Sequence, residues 1–409
     1  MANLDRRQAL RALGGAIALA TPGVRSGFAA EVPLTGGLPG GTYEVATLEA
    51  LPAKKPLIKL TTRPPNYETP ISYFTSAITP NDAFFVRYHL ATIPRVDAAT
   101  WKLDIGGEGA MSPFALSLNE LQTNFEQVEI NAVCQCSGNR RGLSDPHVPG
   151  VQWGSGAMGS AAWRGPRLKD VLARAGLQRD VVEIIVDGAD NAPLTSTPDF
   201  VKSLPLAKAL DENTIIAHRM NGEPLPHYNG FPARLIVPGW TATYWMKHLT
   251  SIRAATKPFD GFWMRGAYRI PNNTFPVVQR FLSQETEANT PITEMVVNSL
   301  IASPVENQRI QMGQMVNVQG VAWDAGYGIT RVEVSSDGGA NWRPATLGAD
   351  GGRFGFRTFS FRFTADARGA RRIMAKATNR IGQSQVDALI FNPAGYHNNV
   401  SRPTTITIV

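Results

Sequence analysis

The order of apolar and polar positions predicts an α+β region followed by an all-β region. Residues 128–136 alternate and are rich in β formers, which predicts a strand that ends at Cys136. Apolar residues recur at helical spacing through 167–175, and Gly176 follows where a helix should end. Further strands are predicted at 181–186 and 233–237, and a hairpin turn at Asn221-Gly222.

After residue 291 the pattern changes to short β runs at nearly regular spacing. Asp337-Gly338-Gly339 forms a tight turn between two of them, and no helical segment competes. This pattern predicts a small β-sandwich over 291–409, separated from a first domain over 31–290 by a polar crossing at 284–291. The runs lie at 295–301, 315–323, 329–335, 354–364, 370–378 and 384–390.

Composition agrees with a folded, turn-rich protein of two domains. The chain has 409 residues, of which 43% are apolar and 18% charged, as in ordinary globular proteins. That length exceeds what a single core usually supports. The 38 glycines and 29 prolines favour β structure with many turns.

Residues 1–30 have the order of an export signal. Arg6-Arg7 precedes an apolar stretch over 13–24 and an Ala29-Ala30 end, and that stretch is too short to span a bilayer. The arginine pair resembles a twin-arginine signal, although Ala9 stands where a large apolar residue is usual; an ordinary secretory signal is the alternative. Twin-arginine export carries folded proteins, so we expect a periplasmic protein that receives a cofactor before export.

The net charge does not indicate a nucleic-acid-binding protein. The whole chain carries +7, and beyond residue 30 it has 36 basic and 32 acidic side chains, a balance of +4. No basic run with interleaved aromatic residues occurs, and no apolar run of spanning length follows the N-terminus. A nucleic-acid partner and a membrane span are therefore not expected.

The only two cysteines, Cys134 and Cys136, lie one residue apart in the segment Cys-Gln-Cys-Ser-Gly-Asn-Arg-Arg. Exported proteins usually pair their cysteines, but this spacing closes a disulfide only in a strained ring. Neither a histidine at zinc-finger spacing nor a haem-attachment motif accompanies them. From the residues alone, a soft-metal ligand and a small buried side chain both stay open for each cysteine.

Four segments together resemble the sulfite oxidase family of molybdenum enzymes. The stretch from Val332 to Trp342 also resembles that family's C-terminal immunoglobulin-like domain, so the resemblance covers nearly the whole chain after residue 30. The four segments are Phe-Phe-Val-Arg-Tyr-His at 84–89, Cys-Ser-Gly-Asn-Arg-Arg at 136–141, Asn-Gly-Phe-Pro-Ala-Arg at 229–234 with Val-Pro-Gly at 237–239, and Trp-Met-Lys at 245–247.

The resemblance implies a molybdenum-molybdopterin cofactor, with the thiolate of Cys136 as the protein's ligand to the metal. Cys134 has no family role and is predicted to pack in the core. By the same resemblance, Arg87 and Arg141 converge on an anionic substrate, Trp153 forms a wall, and Tyr268 lies near the metal.

Residues that contact the pterin and its phosphate are carried over from matching positions. They are Phe85, Arg87, His89, Arg234 and Lys247, with Asp190 and Ser203 as looser matches. Asn229 stands where the family often has histidine, so its contact with the cofactor is open, and His227 could partly substitute. We interpret His147, His218, His248 and His397 as surface or core residues.

The implied reaction is oxidation of sulfite to sulfate by oxygen-atom transfer. The sequence has no haem, flavin or nicotinamide motif, which predicts a separate c-type cytochrome as electron acceptor and hence a sulfite dehydrogenase. The assembly is either a homodimer or a heterodimer with the cytochrome. The alternatives are a sulfane dehydrogenase component acting on carrier-bound sulfur, an oxo-transferring reductase, or a secreted β-sandwich binding protein without catalysis.

Overall fold

The computed structural model describes residues 30–33, 45–272 and 287–409. The predicted export signal lies outside the described residues apart from residue 30, and the predicted crossing at 284–291 is described from residue 287 onwards. No helix in the described part of the chain is long and apolar enough to cross a membrane.

Short strands dominate the first region, and they belong to several small sheets. In order they are β1 (Ala30–Pro33), β2 (Val45–Glu49), β3 (Leu57–Thr61), β4 (Asn66–Glu68), β5 (Val86–Arg87), β6 (Lys102–Gly106), β7 (Phe114–Ser117), β8 (Gln127–Gln135), β9 (Met158–Pro166), β10 (Glu183–Gly188), β11 (Lys202–Pro205), β12 (Ile215–Ala217), β13 (Arg219–Met220), β14 (Glu223–Pro224), β15 (Arg234–Ile236), β16 (Leu249–Ala255), β17 (Arg269–Pro271) and β18 (Asn289–Pro291).

The helices are few and short. The α-helices are α1 (Leu118–Thr123), α2 (Leu168–Ala175), α3 (Leu206–Ala209) and α4 (Phe262–Arg265), and single 3-10 turns lie at Ile71–Thr75, Arg141–Leu143, His227–Asn229 and Ala242–Tyr244. The α2 helix confirms the helix predicted at 167–175. It buries the predicted apolar stripe and ends at Gly176, whose φ of 63° requires the left-handed conformation that glycine adopts without strain.

Three sheets of the first region hold the strands that matter for the site. Strands β1 to β5 form one antiparallel sheet in sequence order, and β5 is its last strand. A four-stranded sheet of order β14-β13-β9-β8 contains the long β8–β9 hairpin, and a two-stranded ladder pairs β12 with β15. A mixed sheet of order β11-β10-β16-β6-β7 packs beside them. One large apolar core joins the last three of these sheets, and the β1–β5 sheet contributes a smaller separate cluster of Leu57, Tyr67, Val86 and Tyr88.

The C-terminal region consists of two sheets around a second apolar core. Its strands are β19 (Asn298–Ser303), β20 (Arg309–Ile310), β21 (Met315–Trp323), β22 (Ile329–Ser335), β23 (Arg343–Pro344), β24 (Thr346–Leu347), β25 (Arg357–Thr364), β26 (Gly369–Asn379) and β27 (Thr404–Ile408). One sheet has the order β19-β21-β25-β24 and the other β20-β27-β26-β22-β23. Valine, isoleucine and phenylalanine side chains from both sheets form the core.

Most predicted strands are present, and one is wrong. Strands β8, β10, β15, β19, β21, β22, β25 and β26 confirm the predictions made for their segments, and β13 and β14 form the hairpin predicted at Asn221-Gly222. Residues 384–390 form no strand and make only isolated bridges, Thr378 with Ser384 and Val386 with Val400. The strand that completes the sheet is β27, because the chain first leaves the sandwich to cross the first region over residues 391–400.

The two regions share a buried interface that lies directly behind β8. Phe74, Val133 and Met158 of the first region pack with Trp323 and Phe356 of the second. Trp323 Nε1 donates a buried hydrogen bond to Gln135 Oε1 at 2.6 Å. The residue between the two cysteines is therefore fixed by the C-terminal region.

His218 gives the fold a defined sensitivity to acid. It is 7% exposed, and its Nε2 lies 2.8 Å from Gln127 Oε1. Burial, with Arg219 and Arg164 nearby, lowers the pKa of His218 from 6.5 to about 4. Because the unfolded chain binds a proton at this residue below pH 6.5 and the folded chain does not, the stability contribution of neutral His218 is lost as pH falls towards 4.

We expect His218→Gln to be less sensitive to acid than the parent protein. The parent should lose about 3 kcal/mol more of its free energy of unfolding between pH 7 and 4, since one pKa unit corresponds to about 1.4 kcal/mol. Urea denaturation of both proteins across this range measures the difference. Equal slopes for the two proteins would contradict a neutral, buried His218.

Candidate active site

Cys136 follows the last residue of β8 and is held by a tight turn. Its backbone N donates to Ala157 O at 2.9 Å, and its carbonyl accepts from Asn139 N at 3.0 Å. Asn139 Oδ1 in turn accepts from Ala157 N at 3.1 Å. The thiol is 7% exposed, whereas Cys134 is 0% exposed, so the turn presents one of the two cysteines to open space.

Two cavities meet at Cys136. The first, here called the Lys247 cavity, and the second, the Trp153 cavity, contain about 650 Å³ and 850 Å³ of empty space, which includes space open to solvent. Arg87, Cys136 and Tyr268 line both cavities. A group bound in either cavity therefore reaches the same thiol, guanidinium and phenol.

Arg87 is placed by the β4–β5 ladder. It pairs with Asn66 in the register of the two strands, and its Nη1 donates to Asn66 Oδ1 at 3.2 Å and to the carbonyl of Tyr88. Its guanidinium also hydrogen-bonds Tyr268. Arg87 thus lies on the boundary between the cavities.

Tyr268 has an unusual backbone conformation. Its φ is 59°, which a bulky residue adopts only where the surrounding structure compels it. Ile292 N donates to its carbonyl at 2.8 Å, its hydroxyl hydrogen-bonds His89 Nε2, and its ring stacks on Tyr396 with centroids 5.9 Å apart. Burial raises the pKa of the phenol, which therefore keeps its proton at neutral pH.

Arg141 lies in the Trp153 cavity and is held by the C-terminal segment. Its Nε donates to Ala394 O at 2.9 Å, and its guanidinium lies 5.3 Å from the ring centroid of Tyr396. A Cβ atom at Gly138 would lie 2.6 Å from Arg141 Nη1, so this position needs glycine for the arginine to pack there. Trp153 is 0% exposed and lines the same cavity, as predicted.

The Lys247 cavity is strongly cationic. Arg234, the first residue of β15, and Lys247, just before β16, line it together with Arg87. Lys247 Nζ donates to Arg87 O at 2.7 Å. Within the described residues no carboxylate lies within 4.0 Å of these three cationic groups.

Burial controls the protonation of the polar groups in this cavity. It lowers the pKa of Lys247 well below 10.5, with Arg234 adding to the effect. It also lowers the pKa of His89 well below 6.5, with Arg87 and Lys247 nearby, and raises the pKa of Asp190 to about 6. Burial is the main cause of all three shifts, and the attraction between Lys247 and Asp190 partly opposes it for these two groups.

The structure brings together most of the predicted cofactor-binding residues. Phe85, His89, Asp190 and Asn229 line the Lys247 cavity with Arg87, Arg234 and Lys247. Ser203 lines neither cavity: it lies on β11, paired with Ile185 of β10, and its buried hydroxyl has no partner within the described ranges. Its placement gives no support to a cofactor contact.

Asn229 is fixed by a lysine that the sequence analysis missed. Lys54 Nζ donates to Asn229 Oδ1 at 2.6 Å, and Asn229 Nδ2 donates to Phe85 O at 3.2 Å. Burial lowers the pKa of Lys54 to about 7. The suggestion that His227 substitutes at this position is wrong, because His227 is exposed and lines neither cavity.

Cys134 does more than pack in the core. Arg234 Nη2 donates to Cys134 Sγ at 3.2 Å, and the same guanidinium donates through Nη1 to Asn229 O at 3.2 Å. Burial raises the pKa of the Cys134 thiol. The prediction of a buried position is confirmed, and the side chain also orients Arg234.

Several further residues of the site carry no sequence signal. Tyr396 lies far along the chain and reaches the site only because residues 391–400 cross back to it. Lys202 is 0% exposed, with its Nζ 5.4 Å from the Tyr268 ring centroid, and burial lowers its pKa to about 7. Ser137 and Thr243 line the Lys247 cavity with buried hydroxyls that have no partner among the described residues.

Both regions match known protein families. The family described as an oxidoreductase molybdopterin binding domain matches residues 89–263. The family described as a Mo-co oxidoreductase dimerisation domain matches residues 289–407. Fold and site together define a molybdopterin-binding oxidoreductase.

Similarity to individual proteins identifies the family within this class. The mitochondrial sulfite oxidase of Macaca fascicularis is 36% identical over 307 residues, 72% of this chain and 54% of that protein. The mitochondrial sulfite oxidase of Drosophila melanogaster is 36% identical over 70% of this chain and 50% of that protein. This chain spans about half the length of these relatives. It belongs to the sulfite oxidase family of molybdenum enzymes.

A solved structure supports the fold. The sulfane dehydrogenase SoxCD from Paracoccus pantotrophus superposes with a TM-score of 0.72 at 24% identity and covers 84% of both chains. The barley NAD(P)H nitrate reductase is also similar, at 31% identity over 74% of this chain and 36% of that protein. The same fold thus occurs in proteins with different names and reactions.

The residues present fit the molybdenum-molybdopterin cofactor of this family. A phosphate requires cations, and Arg234 and Lys247 offer theirs without a competing carboxylate within 4.0 Å among the described residues. A pterin requires hydrogen-bonding partners, and the hydroxyls of Ser137 and Thr243, which have no partner in the described part of the chain, could provide them. Among the described residues no cluster of three or more His, Cys, Asp or Glu could hold a metal ion, and Cys136 offers a single thiol.

Proposed function

We propose that this protein is a sulfite dehydrogenase that oxidises sulfite to sulfate and passes the electrons to a separate c-type cytochrome. The observation that carries the proposal is the junction at Cys136. There a cavity that fits the cofactor meets a second cavity lined by Arg87 and Arg141. The family assignment and the sulfite oxidase relatives support the same reaction.

The Trp153 cavity suits a small dianion. Arg87 and Arg141 line it, and no Asp or Glu among the described residues does. A guanidinium offers a planar pair of donors that matches two oxygens of sulfite, and its charge does not titrate near neutral pH. Trp153 closes one side and limits the water around the bound anion.

The reaction balances with water as the source of oxygen. Sulfite and water give sulfate, two protons and two electrons. When bound, the cofactor supplies oxygen-atom transfer and accepts the two electrons. Arg87 and Arg141 offset the charge of the sulfur oxyanion, and the protonated hydroxyl of Tyr268 donates a hydrogen bond at the junction of the cavities.

The remaining features of the proposal concern assembly and location. We propose that the protein is periplasmic, on the strength of the export signal, and that its C-terminal region is an immunoglobulin-like dimerisation domain. The two facing sheets and the dimerisation-domain match support this assignment. A cytochrome subunit in place of a second copy is the other arrangement, and a cytochrome is the acceptor in both.

Metal analysis and a rate assay test the function. The purified protein from a host that makes molybdopterin should contain about one molybdenum and one pterin per chain, and sulfite should reduce cytochrome c. If the purified protein contains neither molybdenum nor pterin, it is a binding protein without catalysis. If the cofactor is present but turnover requires a sulfur-loaded carrier protein, the protein is a sulfane dehydrogenase component.

Tyr396 should affect sulfite binding through Arg141. We expect Tyr396→Leu to raise the KM for sulfite by about two- to thirtyfold, because a stacked guanidinium gains about 0.5–2 kcal/mol from an aromatic face. Tyr396→Phe keeps the ring and should leave KM within about twofold of the parent. Steady-state kinetics with cytochrome c measures both, and equal effects of the two substitutions would exclude the stacking.

A further inference from the structure

A third cavity lies between the two regions, away from both cavities of the active site. It contains about 940 Å³ of empty space, which includes space open to solvent, and we call it the interdomain cleft. Arg140 lines it from the first region, and Arg372 and Arg402 line it from the second. No aspartate or glutamate is among the residues of its wall.

Arg140 is buried and Arg402 is half-buried, and each has one buried donor atom without a partner among the described residues. Arg140 is 3% exposed, and its Nη2 and Nη1 donate to the carbonyls of Ser299 at 2.6 Å and Val400 at 3.2 Å. Arg402 donates to Leu143 O. The Nε atoms of Arg140 and Arg402 are buried and have no partner within the described part of the protein.

Neutral carbonyl groups do not offset the charges of these arginines. No carboxylate within the described ranges lies within 4.0 Å of either guanidinium, and burial beside Arg402 lowers the pKa of Arg140 to about 9. Buried charges are normally paired, because leaving one unpaired is strongly destabilising. The cleft therefore lacks the anion that its charges and free donors require.

We propose that the interdomain cleft is a binding site for a tetrahedral oxyanion of the sulfate and phosphate class. Three guanidinium groups supply charge and N–H donors, and the hydroxyl-bearing residues Ser155 and Thr404 line the same wall. The site is separate from the sulfite site and does not depend on the catalytic proposal.

The anion would connect the two regions next to the active-site loop. Arg140 adjoins Arg141, its backbone N donates to Gly154 O at 2.8 Å, and its carbonyl accepts from Asn398 Nδ2 at 3.1 Å. An anion that contacts Arg140, Arg372 and Arg402 at once ties this loop to β26 and to the segment before β27. Binding should therefore stabilise the folded protein.

Equilibrium dialysis with labelled sulfate tests the site. Experiments use the cofactor-loaded protein at constant ionic strength, with chloride replaced stepwise by sulfate. An Arg141→Met background removes the anion site of the Trp153 cavity, so that the remaining site is measured alone. We expect about one sulfate per chain, and at least about tenfold weaker binding in Arg372→Ala/Arg402→Gln.

A charge-matched control separates a site from a general field effect. Arg331 and Arg368 lie on the C-terminal region outside the cleft, and Arg331→Gln/Arg368→Gln removes the same charge. The control should bind sulfate as the parent does. If the double cleft variant does not fold, Arg372→Ala alone serves, because this arginine is exposed.

The outcomes decide the proposal and the source of the anion. Competition by unlabelled phosphate shows which of the two oxyanions the cleft prefers. Sulfate should also raise the melting temperature of the parent more than that of the cleft variant. If the cleft variant and the control variant bind sulfate and phosphate equally well, the proposal is wrong. The cleft would then be a site for a carboxylate of a partner protein.

Discussion

Replacing Cys136 by serine should abolish sulfite oxidation while the protein stays folded. The thiol lies where the two cavities meet, and the substitution replaces its sulfur by oxygen without altering the turn that holds residue 136. Losing a residue that only orients a metal ligand costs about 10- to 100-fold in activity or affinity. Loss of the proposed ligand itself should therefore lower kcat by more than about 100-fold.

Cys134 provides the matched control, and the structure makes the comparison sharper. A serine at 134 can still accept the hydrogen bond from Arg234, so Cys134→Ser should retain most activity. Cys134→Ala leaves that buried donor unpaired and should cost about 1–3 kcal/mol of stability. Rates with cytochrome c, molybdenum content and urea denaturation measure these effects. Equal loss of activity in the two serine variants would contradict the assignment of Cys136 as the ligand.

Much of the fold follows from local patterns in the sequence. The β8 and α2 segments have clear periods of two and 3.6 residues, and Asn221-Gly222 carries its own turn geometry. The wrongly predicted strand at 384–390 shows the limit of such patterns. Its alternation is compatible with a strand, but those residues instead begin the crossing towards Arg141, and only tertiary contacts determine that path.

The candidate site divides in the same way. Residues in contiguous motifs, such as Arg87, Cys136 and Lys247, are candidates from the sequence alone, and the structure places all three on the Lys247 cavity. Tyr396 and Lys54 were not, because each acts on a predicted residue through one long-range contact. An isolated tyrosine or lysine has no local spacing that would indicate such a contact.

The C-terminal region is part of the active site as well as a separate sandwich. Ala394 and Tyr396 hold Arg141, and Trp323 fixes Gln135 between the two cysteines. A substitution that loosens the contact between the regions therefore affects both Arg141 and the strand that ends before Cys136. Sequence patterns alone place these residues only in a second domain.

Arg87→Met should mainly weaken sulfite binding. A hydrogen bond to a charged group contributes about 1.5–3 kcal/mol, so removing the fork should raise KM by about ten- to a hundredfold. Methionine keeps the length and apolar stem of the side chain. Steady-state kinetics at varied sulfite gives KM and kcat separately, and an unchanged KM would exclude Arg87 from the substrate pocket.

The contributions of charge and of donor geometry to sulfite binding can be separated at residue 87. Arg87→Lys keeps the positive charge but loses the planar pair of donors, so its KM should lie between those of the parent and Arg87→Met. If charge dominates, raising the ionic strength should increase KM in the parent and in Arg87→Lys, but less in Arg87→Met. If bidentate geometry dominates, the lysine variant should resemble the methionine variant at every salt concentration, because one ammonium group cannot reproduce the fork.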